Sequence, residues 1–263
     1  MSWQWDPSLF AGAAAYYARG RIGYPPELVA ALREELGLDG TTRLLDVGCG
    51  PGALTLLLAP HVGQAVGIDA DADMIREAEA RAPANARFVH LRAEELPAGL
   101  GTFHAVTFAQ SLHWLDQELV ARRAHGLLEP GGALVWIGAT TDRGEGDVPH
   151  EEIADLVRSY LGPGRRAGRG SLAEGRLEIE EEPFLRAGFR GPRRGDGPGG
   201  RGHERTVDDL VAAVFSRSFS APHLFGDRLD EFERRLRLLL RDASPPGRFS
   251  ERLGGAGLTI WQR

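Results

Sequence analysis

The stretch LLDVGCGPGALTL, residues 44–56, constrains the fold more than any other part of the chain. Apolar residues bracket Asp46, then Gly48, Gly50 and Gly52 follow at alternate positions, and an apolar helical run comes next. That order predicts a buried strand, a tight turn and the N-terminus of a helix. Glycine has no Cβ and tolerates positive φ, so such a turn lets a ligand approach the backbone closely at a helix N-terminus. Gly48, Gly50 and Ala53 also satisfy the loose dinucleotide pattern G-x-G-x-x-A. Taken alone that is a weak signal, and the rest of the chain has to decide what the turn holds.

Strand and helix patterns alternate from residue 26 to about 140, as expected of a parallel sheet covered by helices. Helices are expected at 26–36, 52–59, 72–82 and 116–128, and strands at 43–48, 65–69, 86–91, 103–109 and 133–138. Further on, 149–161, 206–216 and 227–241 read as helices, the second with Thr206 as its N-cap. EEPFLRAGFR suggests a short helix end and a sixth strand, and LTIWQR a last strand returning to the sheet. Half of GPRRGDGPGGRG (191–202) is glycine, so 162–205 is expected to be a mobile segment.

Composition narrows the function classes. A chain of 263 residues suits one sizeable domain, or one domain with an appended cap. A net charge of −6 argues against a general nucleic-acid binder. All 31 basic residues are arginine, which excludes a mechanism needing a catalytic lysine. Cys49 is the single cysteine, so no intrachain disulfide or cysteine-rich metal site can form. The eight histidines show no ligand spacing, and no metal is expected. Residues 1–20 lack the basic n-region and long apolar core of a signal peptide, and the apolar runs are too short for a membrane span. The expectation is a cytoplasmic protein without membrane or nucleic-acid partners; oligomeric state is unreadable.

Asp69 ends the second expected strand about 20 residues past the glycine turn, where dinucleotide-type sites place an acid on the ribose hydroxyls. Its alternative role is the N-cap of the next helix, which Asp71 could fill equally well. With LLDVGCGPG, VGIDAD and a following methionine, RAEELP, FHAVTFAQSLHWLD and HGLLEPGGALVW in this order, the chain resembles class I S-adenosylmethionine-dependent methyltransferases. AQSLHW and the upstream YYARGRIGYP look most like the small-molecule subgroup related to trans-aconitate methyltransferase. The likeness is good over 10–140, fainter near 206–220 and the final strand, and poor over 141–205.

The resemblance implies an α/β, Rossmann-like fold: a seven-stranded, mostly parallel sheet with helices on both faces. Residues 1–140 would form the cofactor-binding core with an N-terminal lid helix. A helical substrate cap at 141–230 would precede a C-terminal helix and strand at 231–263. The cofactor implied is S-adenosylmethionine, with S-adenosylhomocysteine as product. Gly48, Gly50 and Gly52 would pass close to its methionine part and Asp46 would anchor its ammonium group through water or backbone. Asp69 would take the ribose diol, Met74 the adenine face, and Ala93 and Glu94 the adenine edge. Leu91 and Arg92 stand where the family often has Gly-Asp, which puts a carboxylate contact to the adenine amino group in doubt. Gln110 would touch the methionine portion, and Arg21 would pair with its carboxylate or merely neutralise a nearby acid.

The acceptor would be a small molecule, with a hydroxyl or carboxylate oxygen favoured. His113 and Trp114 follow the fourth strand, where open α/β sheets place their chemistry. His113 is a candidate base or pocket-shaping residue, and Trp114 a candidate cavity wall or cation–π partner. Tyr16, Tyr17 and Tyr24 read as packing or lid residues, of which one could line the substrate cavity, with Tyr16 and Tyr24 carried forward as candidates. Ser216 and Ser218 reach the substrate or serve as caps. Arg165, Arg166, Arg169, Arg193, Arg194, Arg201 and Arg205 read as solvated loop charges, or as steering an anionic substrate. Rival readings are the same cofactor site supporting a non-methylating cyclisation or rearrangement, an RNA methyltransferase, and a nicotinamide oxidoreductase.

Overall fold

The computed structural model describes residues 6–141, 143–163, 165–167, 170–172 and 180–263. The first half runs α1 (Ala14–Gly20), α2 (Pro26–Leu36), β1 (Arg43–Val47), α3 (Ala53–Leu58), β2 (Gln64–Asp69), α4 (Ala72–Glu79), β3 (Ala86–His90), β4 (Phe103–Ala109), α5 (Gln117–Leu127) and β5 (Leu128–Gly138). Then come β6 (Glu145–Gly146), α6 (His150–Leu161), β7 (Arg165–Ala167), β8 (Gly170–Leu172), α7 (Glu182–Arg186), β9 (Arg190–Gly197), β10 (His203–Thr206), α8 (Val207–Phe215), α9 (Leu229–Ala243), β11 (Arg248–Arg252) and β12 (Ala256–Gln262).

Seven strands form one sheet in the order β3-β2-β1-β4-β5-β12-β9. Strands β1 to β5 are parallel, and β12 inserts antiparallel between β5 and β9. This is the expected Rossmann-like sheet. Side chains alternate across it, so Leu44 joins α2 and α3 in the core on one face while Leu45 joins α5 on the other. Local chemistry sets the helix ends. Pro26 opens α2 and Gly37 closes it in the left-handed conformation, while Asp71, Asp116 and Thr206 cap α4, α5 and α8.

A second hydrophobic core lies beside the sheet. It joins α6, α8, α9 and the 3₁₀ segment Pro222–Arg228, with Phe225 stacked on Phe232 at 4.0 Å between ring centroids. Strand β11 pairs with β10 and β6 in a small sheet next to it. Helix α1 packs on α8 so closely that a Cβ on Gly20 would lie 2.3 Å from the Ala212 carbonyl carbon. Within the glycine-rich stretch expected to be mobile, Arg190–Gly197 is an edge strand of the main sheet, paired to β12. Cross-strand backbone bonds order it without an apolar core of its own. The parts of that expectation at 164, 168–169 and 173–179 lie outside the described residues.

Candidate functional site

The carboxyl ends of β1, β2, β3 and β4 open onto a cleft whose empty space, open solvent included, is about 680 Å³. Gly48 and Gly50 form its floor, both with positive φ (+68° and +53°). A Cβ at Gly48 would meet Ser111 at 2.4 Å, whereas a Cβ at Gly50 would meet nothing within 4 Å. The turn therefore leaves open space above its backbone at Gly50, where a ligand can approach.

Asp69 stands at the end of β2 and lines the cleft. Its Oδ2 accepts from the Gly50 amide at 2.8 Å and its Oδ1 from the Asp71 amide at 2.9 Å. Burial pushes this carboxyl up to about 6, although both backbone donors favour its charged form. The capping duty falls to Asp71, whose Oδ1 accepts from the amides of Asp73 and Met74. Asp69 is thus available at the cleft wall for a diol.

Met74 is buried and lines the same end of the cleft, as do Leu91, Arg92, Ala93 and Glu94 around the turn after β3. Glu94 Oε1 accepts from the Asp116 amide at 3.2 Å, which ties that turn to the start of α5. Gln110, at the tip of β4, lines the cleft with φ +59°, a conformation that a non-glycine residue adopts at a cost. Trp114, Phe10 and Tyr17 add an aromatic cluster to the lining, with Phe10 edge-on to Trp114 at 5.8 Å and to Tyr17 at 6.5 Å between ring centroids.

Other expected site residues lie outside the cleft lining. Asp46 is buried behind the glycine turn, where Oδ2 accepts from Thr55 Oγ1 at 2.6 Å and Oδ1 from Thr107 Oγ1 at 2.7 Å. Burial raises its carboxyl as well, against those two hydroxyls. Its visible work is to join β1 to α3 and β4. Gly52 caps α3 with φ +81°, and a Cβ there would press on Phe88 at 2.9 Å, so it serves packing. Arg21 Nε and Nη2 both donate to Ser216, to Oγ and to the carbonyl, each at 2.9 Å. Ser216 and Ser218 are buried at the end of α8.

The two tyrosines carried forward are also displaced. Tyr24 is buried in the sheet core, where desolvation drives its phenol far up. Tyr16 packs on Phe215 in the second core at 5.2 Å. The tyrosine in the cleft is its neighbour Tyr17, because adjacent helical residues point about 100° apart. His113 and Trp114 sit on a 3₁₀ turn, Leu112–Trp114, where successive side chains diverge by about 120°. With Trp114 in the cleft, His113 is outside its lining, its ring centroid 5.0 Å from that of Trp114.

Phe10 and Ser111 are further lining residues; Ser111 lies within AQSLHW, while nothing in its local sequence singles out Phe10. Among the described residues, no group of three or more acidic, histidine or cysteine side chains could hold a metal. No described helix is long and apolar enough to cross a membrane.

Comparison with known proteins agrees with this geometry. Residues 44–132 match the family described as Methyltransferase domain. The chain is 32% identical over 153 residues to a Mycobacterium tuberculosis methyltransferase without an assigned substrate, covering 58% of this chain and 60% of that one. It is 37% identical over 107 residues to trans-aconitate 2-methyltransferase of Rhodopseudomonas palustris, covering 39% and 41%. The chain thus spans 60% or less of the length of these curated relatives.

The fold is similar to that of YjhP from Escherichia coli, with a TM-score of 0.55 at 17% identity over 98% of this chain and all of that one. It is also similar to YcgJ from Bacillus subtilis, at 0.52 and 18% over 90% and 97%. Sequence matches centred on the glycine turn, together with this strand order, support a class I S-adenosylmethionine-dependent methyltransferase.

Proposed function

We propose that the protein transfers a methyl group from S-adenosylmethionine to an oxygen of a small-molecule acceptor, a hydroxyl or a carboxylate. The observation that carries this reading is the cleft itself. An open glycine backbone at Gly50, the Asp69 carboxylate 2.8 Å from it, and the Met74 face beside them converge at the strand ends. Those residues fit a nucleoside carrying an amino-acid tail. Asp69 would accept from the ribose diol, and Met74, Ala93 and Glu94 would border the adenine. Gly48, Gly50 and Gln110 would run along the methionine part. When bound, the cofactor supplies an electrophilic methyl on a sulfonium.

The chain's own contribution is alignment and exclusion of water. The strained Gln110 backbone lines the cleft. Trp114, Phe10 and Tyr17 line it too, with ring faces and edges that suit a cation. His113 lies behind Trp114, so we assign it to holding that ring and assign the wall to Trp114 itself. An oxygen acceptor agrees with the similarity to the relative named for trans-aconitate.

Incubation with S-adenosylmethionine and a panel of small acids and alcohols, read by mass, tests the reading. A product heavier by one methyl, together with S-adenosylhomocysteine, is expected. A product of unchanged mass would show that the cofactor supports a rearrangement instead.

A further inference from the structure

Arg205 was expected among solvated loop charges, and the structure buries it. It is 7% exposed at the end of β10, and Nη1 donates to Glu251 Oε2 at 2.8 Å. Its Nη2 donates to two carbonyls, Gly20 at 2.7 Å and Asp209 at 3.1 Å. Glu251, 2% exposed, also accepts the Gly144 amide at 2.6 Å and has His150 Nε2 at 3.0 Å. One guanidinium therefore gathers the last carbonyl of α1, the first turn of α8 and strand β11. The Gly20 carbonyl is among those a helix C-terminus leaves without intrahelical donors. A planar fork can satisfy it and a carboxylate together, which a lysine ammonium cannot do in the same geometry.

What Arg205 fastens matters to the cleft. Helix α1 carries Tyr17, three residues before Gly20, and Tyr17 lines the cleft. Beside Gly20, α1 is also fixed to α8 by Arg19 on the Asp209 carboxylate at 2.8 Å. The preceding turn is tied there by His223 Nδ1, 3.0 Å from the Ala11 carbonyl. The geometry points to Arg205 as a positioning residue for the cofactor site: it clamps the C-terminus of the lid helix to the cap, and so holds Tyr17 over the cleft. This rests on reading the cleft as the S-adenosylmethionine site. It makes cofactor affinity depend on a buried ion pair outside the cleft lining.

The test is a double-mutant cycle on S-adenosylhomocysteine affinity, with wild type, Arg205→Lys, Tyr17→Ala and the double variant. Arg205→Lys keeps a charge for Glu251 and gives up the fork onto Gly20. It should weaken binding about tenfold, within the usual range of coupling between sites. In the Tyr17→Ala background the same change should weaken it no further. Amide exchange over residues 14–20 should quicken in Arg205→Lys, with β1 and β4 unchanged.

Should Arg205→Lys fail to fold, Arg205→Gln with Glu251→Gln removes both buried charges and carries the same comparison. Wild-type affinity in the Arg205 variant overturns the assignment. So does a loss that adds fully to that of Tyr17→Ala, because general damage would behave that way. Absence of binding by the folded wild-type protein would instead bring down the reading of the cleft, and the role of Arg205 with it.

Discussion

At Asp69 two demands meet, since the carboxylate must be ionised to accept from a diol yet sits where burial favours the proton. With its pKa raised to about 6, the charged form dominates at pH 7.5 and is lost as the pH falls through 6. Affinity for S-adenosylhomocysteine is therefore predicted to fall towards tenfold per pH unit below about 6, and to be flat above 7. By linkage, binding at pH 6 should release about half a proton, visible in calorimetry as a dependence on buffer ionisation enthalpy. Affinity that stays constant from pH 5 to 8 would contradict the role. Asp46 differs, because it is buried outside the cleft lining, where its oxygens accept from Thr55 and Thr107. Thr107→Val leaves a buried carboxylate one donor short and should cost about 1–3 kcal/mol in urea denaturation. The family likeness implies an anchor for the ammonium group at Asp46, through water or backbone; its two threonine partners, 9 and 61 residues away in sequence, are invisible in the local pattern.

Elements were legible where a local signal closes them. Pro26 and Gly37 bound α2, Thr206 with Asp209 caps α8, and strand β4 lies at the residues its alternation marks. What the pattern does not carry is rotation about an axis. Tyr16 and Tyr17 are adjacent, and only the packing of α1 on α8 turns the first to Phe215 and the second to the cleft. The same holds on the 3₁₀ turn after β4. Trp114→Ala should weaken cofactor binding by about tenfold, as loss of a large aromatic contact. His113→Gln should change affinity less than threefold and leave no shift in the pH–rate profile. A rate fall with loss of a basic limb near neutral pH in His113→Gln would restore the histidine as a base.

Across the whole molecule, helix α1 packs both on α8 of the second core and on α4 beside the sheet. Strand β10, strand β11 and the Arg205–Glu251 pair were unreadable because their partners lie 46 residues apart and neither carries an apolar periodicity. The edge strand β9 escaped notice for a related reason. Its order comes from pairing to β12, not from burial of its own side chains. Because α1 is fixed to α8 and the second core, damage there should reach the cofactor. Phe232, fully buried and stacked on Phe225, is the centre of that core. Phe232→Ala should cost about 3–5 kcal/mol. Below its melting range it should also weaken S-adenosylhomocysteine binding, and unchanged affinity would separate the lid from the cap.

The central claim is that the cleft at the strand ends binds S-adenosylmethionine through the glycine turn and Asp69. Calorimetric titration of cofactor-free protein with S-adenosylmethionine and S-adenosylhomocysteine, beside Asp69→Ala and with NADH as control, tests it most directly. The account predicts micromolar binding of both sulfur nucleosides, loss of that binding in Asp69→Ala, and no response to NADH. A folded wild-type protein that binds neither, or an Asp69→Ala variant that binds as wild type, would contradict it.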